Sequence, residues 1–185
     1  YALKREAGAI EIGDFLAVKD KVLLGRHKKM SYSENEKRIL ATYQASKAVA
    51  AYGFEMDFER ISLVGDNFKE IDKEIISKTE MIAKIKVYLA GSAGVEMVFH
   101  DSFSNAAEDL YKAKMIALDM VEKYGMGGIQ RGSQEGIEDI IRGAKDEIKD
   151  MLGNFKNQIE RISAKLLAQE ERKKEEIGKE IHALL

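Results

Sequence analysis

Ser33-Glu34-Asn35-Glu36-Lys37-Arg38-Ile39-Leu40-Ala41-Thr42-Tyr43-Gln44-Ala45-Ser46-Lys47-Ala48 is the stretch on which the reading of this 185-residue chain turns. Ser33 and Glu36 have the spacing of a capping box, in which hydroxyl and carboxylate reciprocally satisfy free N–H groups at a helix start. Ile39, Leu40, Tyr43, Val49 and Ala50 then supply apolar positions at helical steps, and Gly53 supplies a stop. A strong helix is expected here.

Working outward toward the C-terminus, Phe58-Glu59-Arg60-Ile61-Ser62-Leu63-Val64 reads as a strand halted by Gly65-Asp66, with no evident hairpin mate downstream. A second capping box, Ser77 to Glu80, leads into Met81, Ile82, Ile85, Tyr88 and Leu89. The adjoining Gly91-Ser92-Ala93-Gly94 is small enough for close backbone packing. Asn105 is expected to cap a helix bearing Leu110, Ala113, Ala117, Met120, Val121 and Tyr124, with Gly125 as its stop. After a flexible entry over 128–136, the apolar positions from Ile137 to Leu167 predict one long amphipathic helix. A charged run over 170–176 then precedes a short helix carrying Ile177, Ile181 and Leu184.

Toward the N-terminus, residues 26–32 are basic and aperiodic and read as a linker. Before them a small helical unit is expected over 1–25: a helix closed by Gly8, a brief extended segment over 9–12, and a helix from Gly13-Asp14 to Gly25. The chain starts at Tyr1 within a helical pattern, so further sequence is expected upstream. The fold class is mainly α with at most one or two short strands.

Composition narrows the functional classes. A 45% hydrophobic content suffices for a real core, and charged residues at 34% nearly cancel to a net charge of −2, which supports neither nucleic acid nor anionic lipid as a partner. The absence of cysteine removes disulfides, thiolate metal sites and a cysteine nucleophile, and suits a reducing compartment. No apolar run approaches the roughly 18 residues that span a bilayer. Average usage would place roughly nine prolines in such a chain; none occurs, which favours long helices.

Single motifs carry little chemistry. No G-x-x-x-x-G-K-[ST] occurs, and the glycine-rich 127–132 segment follows no predicted strand and reads as a loop. His27, His100 and His182 include no pair at i, i+4. No serine sits in G-x-S-x-G. Glu108-Asp109 lies in the first turn of an expected helix, where acids commonly answer the helix dipole.

The order of several blocks does carry a resemblance. Asp20-Lys21-Val22-Leu23-Leu24-Gly25, the Ser33 to Ile39 entry, Leu89-Ala90-Gly91-Ser92-Ala93-Gly94-Val95-Glu96-Met97-Val98-Phe99, Ala107-Glu108-Asp109-Leu110 and Met120-Val121-Glu122-Lys123-Tyr124-Gly125-Met126 together resemble the peptidase region of FtsH-type membrane-anchored AAA+ zinc metallopeptidases, nearly end to end. The resemblance implies the end of an AAA+ lid over 1–25, a linker over 26–32 and a peptidase domain over 33–185. It also implies an upstream module handling ATP and magnesium, a membrane anchor placing this region on the cytoplasmic face, and hexameric, homo- or hetero-oligomeric assembly.

In that family the helix after the S-E-x-E-K block carries H-E-A-G-H-A. Its histidines bind zinc, its glutamate activates water, and the aspartate of the N-D-L block is the third ligand. Here the block reads Tyr43-Gln44-Ala45-Ser46-Lys47-Ala48, so Tyr43 and Lys47 stand at ligand positions, Gln44 at the general-base position, and Asp109 alone is retained. A neutral phenol is a poor zinc ligand, an ammonium repels a cation, and an amide takes no proton from water near neutral pH. Zinc is therefore expected to be absent. The edge strand that lays substrate beside the metal also reads as shortened after Leu63-Val64.

Two placements of Lys47 are open: beside Asp109, with Tyr43 and Gln44 completing a hydrogen-bonded cluster, or directed to solvent along its own stem. The expected function is that of a proteolytically inactive domain of an FtsH-like homologue, working in ring assembly or in binding partners or protein substrates. An active peptidase with another metal arrangement and an unrelated helical adaptor are the rival readings.

Overall fold

A computed structural model describes residues 32–63, 67–71, 73–126 and 133–182. The expectations for the lid-like unit over 1–25, for nearly all of the 26–32 linker and for the 127–132 loop fall outside these residues. Residues 33–185 form one compact unit.

Its axis is α1, Glu34–Gly53. The capping box forms as the sequence expects: Ser33 N–H donates to Glu36 Oε2 at 2.7 Å, and Glu36 N–H donates to Ser33 Oγ at 3.3 Å. From Ala41 to Ala51 every residue is buried, because helices cover α1 on several sides. Alanine dominates that stretch since neighbouring backbones approach closely. The principal neighbour is α2, Lys78–Phe99, started by the Ser77–Glu80 box. A Cβ on Gly91 would lie 2.4–2.7 Å from the Tyr43 ring, and one on Gly94 would lie 1.9 Å from Ser46 Oγ. The small-residue run thus sets the α1–α2 separation, as its composition suggested.

A 3₁₀ turn, Ser104–Ala106, leads into α3, Ala107–Glu122. The expected Asn105 cap does not form: α3 begins from Ala106 without a side-chain cap, the preceding 3₁₀ turn supplying the entry instead. Mainly α is the outcome, with two corrections. The expected continuous helix from Ile137 to Leu167 is two helices, α4, Ser133–Asn154, and α5, Lys156–Gln169, broken at Phe155 with φ −112° and ψ 19°. Gly153-Asn154, two poor helix formers, adjoin the break. It lets Ile148 and Leu152 of α4 and Ile159, Ile162 and Leu166 of α5 all be buried, with α4 against α2 and α5 against α1.

Among the described residues there are three strands rather than one or two. β1, Phe58–Ser62, lies between β2, Phe68–Glu70, and β3, Glu171–Lys173, antiparallel to both. The hairpin mate thought to be missing is therefore β2, and it is short. Phe58 and Phe68 stack at 5.2 Å between ring centroids. β3 falls in the charged run because strand pairing needs backbone groups, whereas Glu171 and Lys173 point outward and Arg172 inward. The closing helix α6, Lys174–His182, docks on α1, where Tyr52 meets Gly178 and hydrogen-bonds His182.

Candidate functional site

Tyr43 and Lys47 stand one turn apart on α1 and therefore share a face. Asp109 stands in the first turn of α3 and is buried, unlike its neighbours Glu108 and Leu110. The α1–α3 arrangement brings the three together. The Tyr43 hydroxyl donates to Asp109 Oδ2 at 2.7 Å, and Lys47 Nζ donates to the same oxygen at 2.7 Å. Relative exposures are 3% for Tyr43, 4% for Lys47 and 8% for Asp109, so these bonds are made away from bulk water. The solvent-directed placement of Lys47 is thereby excluded.

Aromatic faces complete the surroundings of the ammonium. Lys47 Nζ lies 4.7 Å from the Phe68 ring centroid, 5.3 Å from Tyr88 and 5.9 Å from Tyr43, within the range of cation–π attraction. The Tyr88 hydroxyl donates to Glu70 Oε1, and Lys84 pairs with Glu70 at 3.2 Å. At the rim Glu108 pairs with Lys112 at 2.8 Å, and the Lys112 ammonium lies 5.8 Å from the Tyr88 ring centroid.

Electrostatics follow from this packing. Burial pushes the Tyr43 phenol far above its usual range, and the neighbouring Asp109 charge and hydrogen bond push it further, so the ring is neutral at physiological pH. Burial pulls the Lys47 ammonium down from the usual lysine range, while Asp109, by charge and hydrogen bond, and Glu70, by charge, oppose that pull. Glu108 is held below the usual carboxylate range by its hydrogen bond to Lys112.

Gln44 does not join the cluster as expected. It is buried at 4% exposure and its Oε1 has no hydrogen-bond partner. One position along α1 turns its side chain about 100° from Tyr43, so the shared face does not include it.

Sequence reading missed the aromatic wall, because no strand was expected beyond Leu63-Val64, leaving Phe68 unplaced, and Tyr88 read only as one apolar position of a helix. A signal existed: Gly65-Asp66-Asn67 between Leu63-Val64 and Phe68 is turn chemistry between apolar positions. On another side Tyr43 helps line a cleft of about 250 Å³ with Val95, Phe103, Leu110 and Ile141. Among the described residues, no group of three or more His, Cys, Asp and Glu gathers in a metal-ligating arrangement.

Residues 30–133 match the model of Peptidase family M41. The ATP-dependent zinc metalloprotease FtsH of Methylibium petroleiphilum is 29% identical over 137 residues, covering 68% of this chain and 22% of that protein. FtsH of Thermotoga maritima is 34% identical over 129 residues, 63% of this chain and 21% of that protein. FtsH of Mycobacterium leprae is 33% identical over 149 residues, 71% of this chain and 19% of that protein. The chain spans about a fifth of the length of these relatives.

Proposed function

The chain belongs to peptidase family M41 as an FtsH-type peptidase region, and from that premise we propose that this domain no longer hydrolyses peptides and instead serves ring assembly or the binding of partners or substrates. The reading is carried by one observation: the Lys47 ammonium donates to Asp109 Oδ2 at 2.7 Å. The unrelated-adaptor reading falls with family membership.

The residues present do not fit a zinc ion. Zinc sites take neutral imidazole, thiolate or carboxylate donors. Here Tyr43 presents a neutral hydroxyl whose hydrogen is committed to Asp109, and Lys47 presents a cation on the oxygen that would ligate the metal. The general base is missing as well, since the amide of Gln44 has no useful basicity near neutral pH. An active site of different composition would require further carboxylates or imidazoles around Asp109, and the described residues offer no such group.

The relatives' names couple proteolysis to ATP and zinc. In the parent protein of this chain, ATP with magnesium and the membrane anchor would belong to sequence outside these residues, and six-fold assembly would bring copies of this domain into a ring. No helix among the described residues is long and apolar enough to cross a membrane. A cleft lined in part by Tyr43 borders the altered site, and its mixture of Val95, Phe103, Leu110 and Ile141 with Glu96 and Lys145 suits protein contacts better than metal chemistry.

The deciding experiment is casein digestion by the full-length parent with ATP, magnesium and zinc, alongside metal analysis of the purified protein. No cleavage and no stoichiometric zinc are expected. Casein cleavage that a Lys47→Ala change abolishes would overturn the proposal.

A further inference from the structure

We propose that the side chain of Lys47 is a resident structural cation: the fold requires one positive charge at the point where α1, α2, α3 and β2 converge, and the chain supplies it internally. The inference rests on geometry within this chain and stands apart from whether the domain hydrolyses peptides.

Four elements meet at this ammonium. α1 contributes Lys47 itself and Tyr43, α3 the Asp109 carboxylate at 2.7 Å, β2 the Phe68 face at 4.7 Å and α2 the Tyr88 face at 5.3 Å. Asp109 fixes the sign of the requirement. A carboxylate at 8% exposure is costly without a cation or strong donors, and Tyr43 supplies only one neutral donor to it. The rings fix the size and charge. Phe68 and Tyr88 offer π faces, which attract a cation and cannot ligate a divalent metal. Glu70, held by Tyr88 and Lys84, adds negative potential behind them. The result is an ammonium cage open to one carboxylate. It binds α3 to α1 without any exogenous ion, so folding of this domain is independent of metal.

Cavity complementation tests this on the full 185-residue chain. Lys47→Ala removes three methylenes and the ammonium, which n-propylammonium restores as a free ion and n-propanol restores without the charge. Thermal unfolding of the wild-type chain should be unmoved by EDTA. Lys47→Ala should lower the folding equilibrium constant by about a hundredfold or more, with Tm falling by about 10 °C. n-Propylammonium should raise the Tm of Lys47→Ala while leaving the wild type in place, and n-propanol should not.

Equal stability of Lys47→Ala and wild type, or equal rescue by propanol, would overturn the proposal. Should Lys47→Ala not fold, Lys47→Met keeps most of the stem and decides the matter. Lys47→Met/Asp109→Asn more stable than Lys47→Met supports the charge requirement, and a double variant no more stable than the single one refutes it. Zinc bound between Tyr43, Lys47 and Asp109 in the wild type would refute this inference and the non-hydrolytic reading together. Casein cleavage without metal at this point would refute only the latter.

Discussion

Lys47 and Asp109, sixty-two residues apart in the chain, meet with Nζ 2.7 Å from Oδ2 and with side chains at 5% and 11% exposure. A pair buried this deeply stabilises little relative to apolar residues of the same shape, yet loss of one partner leaves the other charge uncompensated. That asymmetry governs how variants of the domain should behave.

Asp109→Asn strands the Lys47 ammonium among three rings with a weaker acceptor. Destabilisation by about 3–5 kcal/mol is expected, measured by urea unfolding. Tyr43→Phe removes only the phenolic donor to a charged acceptor, for which about 1.5–3 kcal/mol is expected. A reversed order, with Tyr43→Phe the more damaging, would mean the hydroxyl rather than the ammonium satisfies the carboxylate.

Gly91→Ala places a methyl within 2.7 Å of three Tyr43 ring atoms. In the wild-type background the clash should cost about 1–3 kcal/mol. In a Tyr43→Ala background the same change should stabilise by up to about 1 kcal/mol, because alanine is the better helix former. A sign change between backgrounds in thermal unfolding is the outcome to look for.

Alkaline stability should report Tyr43. Its phenol titrates near pH 10 when unfolded and higher when folded. A group whose folded pKa is raised contributes stability that is fully present below the unfolded value and is lost as pH climbs toward the folded one. Between pH 9 and 11 the wild-type chain should therefore lose more stability than Tyr43→Phe. Parallel profiles from chemical denaturation would place the Tyr43 hydroxyl in contact with water.

Two imidazoles and a carboxylate installed on α1 should create metal affinity. Tyr43→His, Gln44→Glu and Lys47→His combined place two imidazoles one turn apart opposite Asp109, and should bind one zinc per chain by isothermal titration. The wild-type chain under the same conditions is expected to take up none. Failure of the triple variant to gain zinc would show that α1 and α3 do not present ligand geometry.

Much of the fold was legible because its signals are local. Each capping box joins two residues three apart in sequence, the small-residue run announces a close crossing, and helical periodicity marks most of the core positions. The misreadings have two causes. The break at Phe155 and the pairing of β3 with β1 depend on partners distant in the chain, and β2, a near neighbour of β1, is only three residues long, too short for its alternation to be distinguished by pattern alone.

For the site, the sequence by itself determined that a phenol and an ammonium share one face of α1, because α-helical spacing places Tyr43 and Lys47 together whatever surrounds them. It also restricted the chemistry, since side-chain type sets charge and basicity. Only the tertiary structure decided that Lys47 turns inward to Asp109 instead of outward along its flexible stem, that Gln44 stays apart, and that Phe68 and Tyr88 form the walls of the cage. The orientation of a long cationic side chain is a contest between hydration and a buried carboxylate, and that carboxylate arrives from another helix.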